Sequence, residues 1–115
     1  MTQKERPNVT GKGPSLAKEI VSIFDQILSN GGGMKDMLEP QLAARGAQLD
    51  KIGKMAYLKT VKAGETAWDI KEMSLELQSA VEAGDEAKAK EIVETLTADL
   101  DQLIHKIKTF VVRMT

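Results

Sequence analysis

At 115 residues, with 42% hydrophobic and 29% charged residues and a net charge of −1, the chain has the composition of one folded domain. These values exclude intrinsic disorder, which needs low hydrophobicity and a charge imbalance, and give no global reason for nucleic acid or an anionic membrane as partner. Cysteine is absent, which removes thiol redox chemistry, thiolate metal sites and disulfides.

Aromatics make up 3% of the chain: Tyr57, Trp68, Phe24 and Phe110. The core therefore falls to Leu, Ile, Val, Met and Ala, and few stretches alternate with period two, so the expected class is all-α. No run approaches the roughly 18 apolar residues of a membrane span. The first residues are polar and lack a signal-peptide core, so a cytoplasmic location is expected.

Residues 1–14 hold Pro7, Gly11, Gly13 and Pro14 among polar residues and read as a flexible, disordered tail. Thr10-Gly11-Lys12-Gly13 lacks the spacing of a phosphate loop and follows no apolar strand. Residues 15–115 read as a single helical bundle domain. Its first helix is expected from Ser15, as N-cap, to Asn30-Gly31, with Leu16, Ile20, Ile23, Phe24, Ile27 and Leu28 on one face.

After the Gly31-Gly32-Gly33 loop a second helix is expected to start between Asp36 and Gln41, because Pro40 is tolerated only in a first turn. From there Leu42, Leu49, Ile52, Ala56, Ala63, Ala67, Ile70, Leu77 and Val81 stay within an arc of roughly 100°. The phase survives across Gly64, so one helix is expected from Gln41 to Ala83. The alternative is a break at Gly64 with Thr66 capping a new helix. Gly84-Asp85 is the clearest punctuation in the chain, with Gly as the left-handed C′ residue and Asp as the next cap. The last helix then runs from about Asp85 to Arg113, with an apolar arc of about 120° that implies at least two neighbours. The result is an antiparallel helical bundle of three or four helices.

Residues 80–108 resemble the closing helix of the cytochrome haem-binding bundles, with alanine, lysine and glutamate around a histidine near the end. That resemblance implies an inward histidine and a first-helix methionine as haem ligands. Here His105 falls about 160° from the middle of the apolar arc, and Ser15–Ser29 contains no Met. His105 is expected to face solvent, with Asp101 placed to accept its proton. No cofactor is expected.

Carboxylates fall on solvated faces, and neither Glu-x-x-His nor a dinucleotide fingerprint occurs. The chain is therefore expected to have no catalytic residues and not to be an enzyme. Met34 and Met37 are three apart, a spacing compatible with two thioethers on a soft metal, but packing is the commoner role of Met. Residues 45–62 carry a net charge of +4 and residues 63–101 of −8, blocks that can satisfy each other between helices.

A second apolar stripe remains. With continuous phase, Tyr57, Val61, Gly64, Trp68 and Leu75 lie within about 60° of one another, roughly 120–140° around from the main arc. Their spacing fits a coiled-coil heptad seam, and Gly64 would permit close approach. Trp and Tyr are the side chains most enriched at binding hot spots. The expected function is that of a small non-enzymatic protein that binds a protein partner or itself, as a homo-oligomer, through Tyr57, Val61, Trp68 and Leu75. The alternative is a cofactor or metal carrier using the bundle interior or the Met34/Met37 pair.

Overall fold

The computed structural model describes residues 8–114, apart from the side chains of 111–114. Four helices account for nearly all of it: α1 (Gly13–Ser29), α2 (Lys35–Ile52), α3 (Val61–Glu82) and α4 (Glu86–Met114), with short 3₁₀ turns at Gly32–Met34 and Ala56–Lys59. No strand occurs among the described residues. The all-α bundle expected from composition is the fold.

The first helix starts two residues before Ser15. Pro14 sits in its opening turn, where a missing N–H costs nothing, and Lys12 occupies the N-cap without a side-chain bond. Its inward face is the expected one, with Leu16, Ile20, Ile23, Phe24 and Ile27 buried. The second helix starts ahead of Asp36, so Pro40 lies in its second turn rather than its first. Leu38, Leu42, Leu49 and Ile52 form its buried stripe.

The unbroken helix from Gln41 to Ala83 does not exist. The chain leaves α2 at Gly53, passes through the 3₁₀ turn and re-enters helix at Val61. Thr60 caps that entry: its backbone is extended, and its Oγ1 accepts a hydrogen bond from the Ala63 N–H at 3.2 Å. Gly64 is interior to α3, so the break lies neither at Gly64 nor at Thr66. Leu58, at the centre of the crossover, is completely buried.

This crossover sets the topology. An added methyl at Gly46 would lie 3.3 Å from the Phe24 ring, and one at Gly53 would lie 3.5 Å from Ala17. Those pairings run in opposite directions, so α1 and α2 are antiparallel. Glu19 pairs with Lys71 and Gln26 with Gln78. Both pairs share one offset, so α1 and α3 lie side by side and parallel. The helices follow one another around the bundle as α1, α3, α4, α2, placing α2 and α3 on a diagonal that residues 53–60 cross. Consecutive helices alternate in direction.

The Gly84-Asp85 turn forms as expected. Gly84 has φ 73°, its N–H donates to the Val81 carbonyl at 3.1 Å, and the Asp85 N–H donates to Ala80 at 2.9 Å. That is a Schellman closure. Asp85 Oδ1 then accepts from the Lys88 N–H at 3.1 Å and caps α4. At 29 residues, α4 is about 43 Å long and spans the molecule's 44 Å longest dimension.

The boundary of the disordered tail expected over residues 1–14 needs correction, since α1 begins at Gly13. Residues 1–7 lie outside the described residues, but Val9 and Gly13 within the expected tail are buried. The Gly11 N–H donates to the Lys59 carbonyl at 3.3 Å, and Gly13 lies against the Leu58 backbone. An arm and a crossover thus close one end of the bundle together.

Candidate functional site

The arm determines how the outer face of α3 is read. Gly64 was expected to admit a partner. It instead admits Val9, since a Cβ at position 64 would stand 2.6 Å from the Val9 carbonyl oxygen. The helix that carries the stripe is also 22 residues long, not about 43, so exposed apolar surface no longer follows from length.

Of the four stripe residues, the structure keeps three together. Val61, Trp68 and Leu75 are all on α3, seven residues apart, within an arc of about 40° and over a length of about 21 Å. Val61 is 50% exposed and Leu75 38%; among the described residues the one other exposed large apolar side chain is Met55, at 36%. Trp68 between them is partly buried and rests on the core. Tyr57 belongs to the crossover: half-buried, its ring centroid is 5.4 Å from that of Phe110, inclined at 54°. It braces the end of α4 rather than extending the ridge.

Lys71 was not singled out from the sequence. Its Nζ lies 5.0 Å from the Trp68 ring centroid and 3.3 Å from Glu19 Oε1 on α1. The cation thus lies over the ring while its ion pair links α3 to α1. The i,i+3 spacing of Trp68 and Lys71 was visible; the acid on α1 was not.

The other candidates are absorbed by packing. Arg45 joins Asp101 through two hydrogen bonds, Nε to Oδ1 at 2.8 Å and Nη2 to Oδ2 at 3.0 Å, which ties α2 to α4 and brings the basic and acidic blocks together. The hydrogen bonds from Arg45, with its charge, hold the Asp101 carboxyl below its usual range, and the same contact raises Arg45. Both Asp101 oxygens face Arg45, so the acid expected to serve His105 is committed elsewhere. His105 itself is exposed, beside an open hollow with Tyr57 and Phe110.

Met34 and Met37 pack against the apolar core. Among the described residues no three His, Cys, Asp or Glu side chains cluster as metal ligands, and no helix is long and apolar enough to cross a membrane. Among the described residues no buried side-chain N or O atom lacks a hydrogen-bond partner: the buried hydroxyls of Ser74 and Thr97 donate to the carbonyls of Ile70 and Val93, each at 2.8 Å. Comparison with known proteins gave no family model, curated relative or solved structure that matches the chain.

Proposed function

We propose that the chain is a small non-enzymatic interaction protein that docks a second copy of itself or another protein through the Val61–Trp68–Leu75 ridge of α3. The observation behind this reading is the heptad-spaced exposure of two large aliphatic side chains either side of a partly buried Trp, on a helix whose opposite face already fills the core. Trp is among the side chains most enriched at binding hot spots. Heptad spacing is the register in which one helix receives another.

Light scattering checks the self-docking form. A species heavier than the 12.6 kDa monomer, returned to monomer by Trp68→Ala at unchanged helicity, would support it. A monomer at high concentration whose Trp68 is shielded from a soluble quencher would overturn that form.

A further inference from the structure

We infer that the crossover end of the bundle docks onto the surface of an anionic phospholipid bilayer. This surface is separate from the α3 ridge and does not depend on it. It follows from where the fold collects charge.

Residues 8–18, 50–65 and 104–110 are brought to one end of the bundle by the contacts of Gly13 with Leu58, Gly53 with Ala17 and Tyr57 with Phe110. They carry eight lysines and two carboxylates, a net charge of +6. All eight lysines are exposed, and none is ion-paired among the described residues. Of the two acids, Glu65 already interacts within the chain and Asp50 is exposed.

Because consecutive helices alternate in direction, residues 25–40 and 76–94 meet at the other end. They carry nine carboxylates and three lysines, a net charge of −6. The overall charge of −1 therefore conceals two poles, set apart along a molecule 44 Å long. The Debye length at physiological ionic strength is about 8 Å, so a surface touching the basic pole hardly feels the acidic one.

The apolar groups among these lysines favour lipid over nucleic acid. Met55, 36% exposed, lies between Lys54 and Lys59 in the crossover. A hollow of about 180 Å³, lined by Pro14, Ala17, Leu49 and Gly53, lies between Lys18 and Lys54, with Asp50 on its rim. Apolar groups ringed by lysines match the boundary between acidic headgroups and acyl chains. Nucleic acid is held by stacking aromatics and by Arg. Here Tyr57 and Phe110 are half-buried against each other, and Arg45 is engaged by Asp101.

Cosedimentation of the full chain with vesicles tests the inference. Vesicles of phosphatidylserine and phosphatidylcholine in equal parts are expected to bind it, phosphatidylcholine alone is not, and binding should fall as salt rises. Each lysine in the surface field is worth about fivefold in binding. Lys54→Glu with Lys59→Glu should therefore weaken binding at least about tenfold at unchanged helicity. Lys88→Glu with Lys90→Glu makes the same change in net charge at the acidic pole and should alter binding less than about twofold. Met55→Ser should weaken it at least about threefold through lost apolar contact.

No binding to phosphatidylserine vesicles, equal weakening by the two charge pairs, or unchanged binding by Met55→Ser would overturn the inference. Tighter binding to a DNA duplex than to the vesicles would make the pole a nucleic-acid site instead. Salt-sensitive self-association without vesicle binding, abolished by Lys54→Glu with Lys59→Glu, would make a second copy its occupant.

Discussion

Leu58→Ala discriminates between the crossover and the continuous helix that periodicity favours. At 100° per residue, Leu58 would lie about 140° from the main apolar arc of such a helix, out in solvent. In the structure it is completely buried, beneath the start of α1 and beside the α3 entry. Truncating a fully buried Leu to Ala costs about 3 kcal/mol or more, from lost transfer energy and the cavity left behind. For 115 residues the unfolding entropy is about 0.24 kcal/mol/K, so Tm should fall by about 12 °C. Thermal and urea unfolding followed by circular dichroism at 222 nm gives both values. A loss below about 0.5 kcal/mol, the usual effect of a surface change, would refute the crossover.

Gly13→Ala should also be strongly destabilising, by about 2 kcal/mol or more, because its methyl would overlap the backbone carbonyl of Leu58; an unchanged urea midpoint would contradict the arm's placement. At Gly84, which has φ 73° and open space around it, Ala should cost about 1 kcal/mol by conformational strain alone, measurable in the same assay. Asp101→Asn should cost no more than about 1 kcal/mol at neutral pH, since the Asp101 side chain is 55% exposed. The Asp101 carboxyl is held below its unfolded value of 3.8, so its contribution is present above that value and is lost as pH falls through the lower folded one. Urea midpoints of wild type and Asp101→Asn should therefore differ at about pH 7 and draw together as the pH falls below 3.8.

The legible parts of the fold were those written in local chemistry. The α1 face followed from a clean period of 3.6, and the α3–α4 turn from one Gly-Asp step whose conformational and capping roles are both local. The crossover was hidden because Ile52, Ala56 and Ala63 keep helical phase across it, with no proline to interrupt them. Of those three, Ala56 proves exposed, and Leu58, out of phase, is the residue that fills the core. An off-phase Leu followed by Thr60 as a potential cap was the available signal. The arm was missed because its burial depends on Gly13 and Gly64 meeting Leu58 and Val9, contacts between segments distant in sequence.

The ridge was legible as heptad spacing, and three of its four residues survive because α3 alone carries them. Tyr57 was included only through the assumed continuity. Lys71 could not be ranked from sequence, since its role depends on Glu19 of a parallel neighbouring helix.

The ridge as a docking face is tested most directly by photo-crosslinking from Leu75→benzoylphenylalanine, with Glu91→benzoylphenylalanine on the exposed side of α4 as control. A discrete adduct is expected from position 75, in the purified chain or with one partner in native extract, and Trp68→Ala should abolish it. Equal labelling from both positions, or none from position 75, would contradict it.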